Sequence, residues 1–151
     1  MQFIVGKTYS RREISDGLGG SIRSYLPTKA GRVVCGCFKR IPEKNPRAPE
    51  EVTIGSFGTE FRLMAEQDDP IPIFLFRSSS AWEYVGLYRC TGATTDPTVL
   101  QKKMQENPKR GVIRGVLYFE RADSIEAVEK NQSSPGATGE APTRLTTVDN
   151  A

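Results

Sequence analysis

Five runs of β-branched and aromatic residues, each closed off by turn formers, constrain this chain more than any other feature of its sequence. They are Arg32-Val-Val-Cys-Gly-Cys-Phe38, Val52-Thr-Ile-Gly55, Ile71-Pro-Ile-Phe-Leu-Phe76, Trp82-Glu-Tyr-Val-Gly-Leu-Tyr-Arg-Cys90 and Val112-Ile-Arg-Gly-Val-Leu-Tyr-Phe119. Such side chains pack well on a pleated surface, so each run predicts a strand. The polar Ser78-Ser-Ser-Ala81 link predicts a hairpin between the third and fourth runs. The opening MQFIVGKTYS predicts a short first strand.

Helical signals are fewer. Ser10-Arg-Arg-Glu13 has the spacing of a capping box, and Gly17, Gly19 and Gly20 follow as a stop. A second helix is expected near Thr59 to Glu66. A third starts at Asp96-Pro97, a cap before a first-turn proline, and runs to about Glu106. Many strands with a few short helices argue for an α+β fold, a curved, mostly antiparallel sheet or small barrel with helices packed outside.

At 151 residues the chain is long enough for one domain with a substantial core. From about Asn131 the composition turns to small, polar, Pro and Gly residues without an aromatic. A segment of that kind buries too little surface to offset its ordering entropy. The expected organisation is a folded domain over residues 1–125 and a disordered acidic tail over 126–151. No apolar run approaches the roughly 18 residues of a membrane span. The N-terminus lacks a basic n-region and a cleavage site, so a cytoplasmic protein without a membrane partner is expected.

Charge is uneven. Residues 1–50 hold ten cations against four carboxylates, whereas residues 122–151 hold two cations against five carboxylates. The overall formal charge of +3 hides a basic N-terminal third and an acidic end. There is no histidine, which removes Ser-His-Asp and Cys-His nucleophile systems, His-metal hydrolases and the HNH nuclease centre together. Cys35, Cys37 and Cys90 fall short of the four ligands of a tetrahedral zinc site, so no metal or other cofactor is expected. Asp68-Asp69 and Glu43-Lys44 read as solvated loop charge. The chain is expected to bind rather than catalyse.

Two features point toward a ligand. Arg11 and Arg12 open a helix at its positive dipole end, where an anion would be a natural complement, and Arg23 and Lys29 follow in the next loop. A solvated basic face is the plainer account. By period two, Trp82, Tyr84, Gly86, Tyr88 and Cys90 share one face of their strand, opposite Glu83, Val85, Leu87 and Arg89. That aromatic stripe is either core or a stacking surface for a base.

Gly6-x-x-Tyr9-x-Arg11-Arg12-Glu13-Ile14, followed by Gly17-x-Gly19-Gly20, resembles the entry of SRA-like and sulfur-binding modules of modification-dependent restriction endonucleases. Trp82-Glu-Tyr84-Val-Gly86-Leu-Tyr88 is similar to their Y-x-G-type strand, and Val116-Leu-Tyr-Phe119-Glu120 to their closing strand. The resemblance spans residues 6–120 and implies a PUA-like, curved β-barrel that reads a modified base or backbone in DNA. It implies DNA contacts from Tyr9, Arg11, Arg12, Ser21, Arg23, Tyr25, Lys29 and Arg77. A base pocket is implied at Trp82, Tyr84 and Tyr88. This chain carries no HNH domain, so the resemblance implies a nuclease partner acting in trans in a restriction context. Its central Cys35-to-Gly55 region, with Asn45-Pro-Arg-Ala-Pro49, departs from the family pattern. An RNA-binding PUA-like protein and a protein-interaction module docking an acidic partner are the competing expectations.

Overall fold

The computed structural model describes residues 2–55 and 58–122. The expected tail, residues 126–151, lies outside them. The elements run β1 (Thr8–Tyr9), α1 (Arg11–Leu18), β2 (Thr28–Lys29), β3 (Arg32–Val33), β4 (Gly36–Phe38), β5 (Glu51–Ile54), α2 (Thr59–Glu66), β6 (Ile71–Ser78), β7 (Ala81–Thr94), α3 (Pro97–Glu106) and β8 (Gly115–Arg121). A 3-10 turn at Pro108–Arg110 links α3 to β8. Among the described residues no helix is long and apolar enough to cross a membrane.

The helix signals are met, except that α1 runs through Gly17 and is capped at Gly19. Ser10 Oγ accepts from the Glu13 amide at 3.0 Å, and Glu13 Oε1 accepts from the Ser10 amide at 2.8 Å. Two donors that the helix leaves without intrahelical partners are thereby satisfied reciprocally. Asp96 Oδ1 accepts from the Thr98 amide at 3.1 Å, with Pro97 behind it in the first turn of α3. Each helix buries a small apolar set: Ile14 from α1, Phe61 and Met64 from α2, Leu100 from α3.

One sheet runs β4-β6-β7-β8-β5, with β1 added on β7. All its pairings are antiparallel except β4 with β6. The fold is therefore α+β with a mostly antiparallel sheet. Among the described residues it does not close into a barrel, because β4 and β5 remain as edges. The expected single strand from Arg32 to Phe38 is two. Val33 pairs with Thr28 in a small hairpin, the Val34 amide then donates to Pro27 O at 2.9 Å, and Gly36–Phe38 joins β6. The chain changes partner in mid-run, which a propensity pattern does not register. The last strand begins at Gly115 rather than Val112. Val112 is exposed and Ile113 packs with Leu100 and Val116, so these residues serve the 3-10 connection instead of the ladder.

β6 is buried on both faces, which explains its uninterrupted apolar run. On one side Ile71, Ile73, Leu75 and Tyr88 pack with Phe38, Val52, Phe61 and Leu117. On the other, Phe74, Trp82 and Tyr84 pack with Tyr9, Ile14, Cys35 and Cys37. The expectation that Trp82, Tyr84 and Tyr88 share a face is thus corrected. Phe74 faces Tyr84 while the adjacent Ile73 faces Gly86, leaving Val85 unopposed. This two-against-one bulge, with Gly86 at φ 122°, reverses the alternation and turns Tyr88 to the opposite side of the sheet.

Candidate nucleic-acid interface

A cleft of about 700 Å³ opens between the two edge strands, walled by Cys37 and Phe38 of β4 and by Val52, Thr53 and Ile54 of β5. The residues that follow β4, Lys39, Lys44 and Asn45, continue one wall. Arg11, Ile22, Arg23 and Tyr25 enter from α1 and the loop after it. Phe76, Ser79 and Trp82 come from the β6–β7 hairpin, and Arg110 from the 3-10 turn.

Its charge is one-sided. Arg11, Arg23, Lys39, Lys44 and Arg110 line it, and no carboxylate does among the described residues. The ion pairs of the described residues, Arg32–Asp69, Arg47–Glu51, Arg77–Glu83 and Lys103–Glu51, involve none of these five cations. Two of the cations rest on aromatic faces. The Arg11 guanidinium lies 5.3 Å from the Trp82 ring centroid, and Lys39 Nζ lies 4.8 Å from that of Phe76. Phe76 and Trp82 themselves meet edge to face at 5.2 Å. This pairing of cations with aromatic faces positions positive charge over a π surface instead of neutralising it.

Among the described residues three buried side-chain polar atoms lack a hydrogen-bond partner: Arg11 Nε, Tyr25 Oη and Trp82 Nε1. All three belong to residues that line this cleft. Buried polar atoms are normally paired, and leaving one unpaired costs about 1–3 kcal/mol. Burial, and secondarily Glu60, pushes the Tyr25 hydroxyl up to about 12, so it is a neutral donor at ordinary pH. Cys37 lines the cleft, and Cys35 is fully buried in the same apolar cluster. The hydrogen bond between them, reinforced by Arg11, pulls Cys37 down, while the same bond and burial push Cys35 up.

The residues expected from sequence divide. Arg11, Arg23, Tyr25 and Trp82 meet in the cleft. Tyr84 lies behind it against Phe74, at 5.3 Å between ring centroids, and Tyr88 sits in the core on the other side of the sheet. Tyr9 is buried, accepting from the Ile4 amide at 2.9 Å through its hydroxyl. Ser21 supports the rim: its carbonyl accepts from Arg11 and its hydroxyl from the Arg23 amide. Arg12 and Lys29 are exposed away from the cleft. Arg77 is held by Glu83 through its Nε at 2.8 Å. Sequence reasoning missed Phe76, Lys39, Lys44, Asn45, Thr53 and Arg110. The cluster Lys39, Arg40, Lys44 and Arg47 was visible in the charge count, but nothing local tied it to a wall.

No three Cys, Asp or Glu side chains gather as a metal site among the described residues. No curated protein and no solved structure matches the chain. Residues 8–133 match the domain of unknown function DUF6697, and the chain belongs to that family.

Proposed function

We propose that this domain binds nucleic acid through the edge-strand cleft, taking an unpaired or extruded base against the Phe76–Trp82 wall and backbone phosphates on the surrounding cations. The observation that carries the reading is a cleft with five cations outside any ion pair, an aromatic wall and no carboxylate. Stacking on aromatic side chains is worth roughly 1–3 kcal/mol per base, and phosphate contacts supply the salt-sensitive remainder. The volume falls within the about 300–1,000 Å³ of small-molecule sites, room enough for one nucleotide.

The narrower form of the proposal is a reader of modified DNA on a PUA-like scaffold, acting with a nuclease in trans. Its support is the resemblance over residues 6–120 and a curved sheet whose two edges flank the cleft. Reading a base inside a pocket requires taking it out of the stack, which suits a base altered on an edge hidden in the duplex.

The test is a binding screen of plain and modified duplexes, single-stranded DNA and RNA across a salt series. Salt-dependent binding with preference for a modified duplex supports the full proposal. Preference for RNA moves the ligand while keeping the cleft. The absence of salt-sensitive binding to every nucleic acid would falsify the reading and favour an acidic protein partner.

A further inference from the structure

Behind the cleft lies a second cavity of about 280 Å³, and the two share Lys44, Asn45, Thr53 and Arg110 as a common wall. That wall is unusually well fixed for a basic surface. Arg110 Nε donates to Thr53 Oγ1 at 3.0 Å, and its Nη2 donates to Thr53 O at 3.0 Å. The Thr53 hydroxyl donates onward to Asn45 Oδ1 at 2.9 Å, and that oxygen also accepts the Thr53 amide at 2.8 Å. Asn45 is the one buried polar residue among those described, at 9% exposure. Gly55 leaves room for the guanidinium, since a Cβ there would stand 3.3 Å from Arg110 Nη1.

Arg110 is therefore locked by neutral acceptors alone. No ion pair of the described residues involves it, so its charge stays unneutralised, and Nη1 takes no part in the two bonds to Thr53. Burial pushes its pKa down from the ordinary value. Lys44, exposed and without an ion pair, adds a second cation to the same wall. The cavity behind carries carboxylates of its own, Glu51 and Glu106, and Glu51 accepts from Lys103 at 2.8 Å and from Arg47 at 3.4 Å. What is left over at the divide is positive charge in a fixed geometry.

We infer that the Lys44–Asn45–Thr53–Arg110 wall is a seat for a phosphodiester, the one that joins the nucleotide held in the cleft to its neighbour. The inference rests on the proposed nucleic-acid reading and gives its ligand a minimum size, a dinucleotide with its internal phosphate on Arg110 and Lys44. Arginine suits this role because a pre-oriented planar fork presents two donors to two phosphate oxygens. Asn45 and Thr53 act as positioning residues, aiming the fork without touching the phosphate.

The experiment is fluorescence anisotropy of a short fluorescein-labelled DNA strand on the full chain, titrated across salt concentrations. Lys44→Ala and Arg110→Gln are compared with the native protein, and dinucleotide with mononucleotide competitors. Each substitution is expected to weaken binding roughly tenfold and to lower the salt slope by about one unit. A dinucleotide should displace the probe better than either mononucleotide, and Arg110→Gln should erase that advantage. Native binding that persists with unchanged affinity and slope in both variants overturns the seat while leaving the cleft as the nucleic-acid site. No salt-sensitive binding by the native chain overturns both. Should Arg110→Gln fail to fold, the exposed Lys44→Ala decides alone, an unchanged slope overturning the seat.

Discussion

The Arg11 guanidinium stands 5.3 Å over the Trp82 ring while its Nη2 donates to the carbonyls of Ser21 at 3.0 Å and Ser24 at 2.7 Å. One side chain thus ties the start of α1 to the start of β7 and to the loop that forms the cleft rim. It also accounts for a cation at a helix N-terminus, where the dipole disfavours it. Two backbone carbonyls and an aromatic face offset the cost.

Replacing Arg11 with Gln should therefore loosen the rim. The cation–π contact contributes about 0.5–1 kcal/mol, and the carbonyl contacts add to it. Hydrogen exchange should show lost protection for amides between Ser21 and Leu26, with a lowered melting temperature. Arg12→Gln, one residue on and exposed, should change stability by no more than about 0.5 kcal/mol. Equal effects of the two substitutions would remove Arg11 from the rim.

Trp82 serves both core and cleft, so its substitutions should separate by size. It is 7% exposed, packed beside Phe76 and the Phe74–Tyr84 cluster. Trp82→Ala should cost about 3–5 kcal/mol in chemical denaturation. Trp82→Phe should cost a fraction of that, because a ring remains under Arg11 and the unpaired Nε1 disappears. The Phe variant is the one to carry into binding assays, where a folded protein with weakened nucleic-acid affinity is expected.

Tyr25 gives a pH signature. Its hydroxyl titrates at about 12 in the folded chain against 10.0 in a model peptide, raised first by burial and then by Glu60. With the folded value above the unfolded one, its contribution is fully present below pH 10.0 and is lost as pH rises through about 12. Phenolate absorbance followed against pH should show a late-titrating component that is reduced by one tyrosine in Tyr25→Phe. At neutral pH the same substitution removes an unpaired buried hydroxyl, so stability should hold or rise by about 1 kcal/mol.

Gly20 holds the turn that follows α1. It sits at φ 85°, and a Cβ there would lie 2.7 Å from Pro27 Cβ, a contact that requires backbone to shift. Gly20→Ala should lower the melting temperature by several degrees, corresponding to about 1–3 kcal/mol of combined strain and overlap. A native melting curve would show that the rim adapts freely.

Local chemistry was legible in the chain itself. The capping box at Ser10 and Glu13, the cap and first-turn proline at Asp96-Pro97, the Ser78–Ala81 hairpin and the apolar run of β6 each depend on neighbours a few residues apart. The amino-acid pattern settles these before any long-range contact forms. Tertiary structure alone decided which face each aromatic took and which cations met. A single bulge at Val85–Gly86 reversed the alternation that placed Tyr88 with Trp82, because a two-residue period carries no memory past an extra residue. Arg110 reaches Thr53 across 57 positions, and the cleft exists only because the sheet leaves β4 and β5 as facing edges. Contacts at such separations are fixed by strand order and register, which no local window of sequence contains.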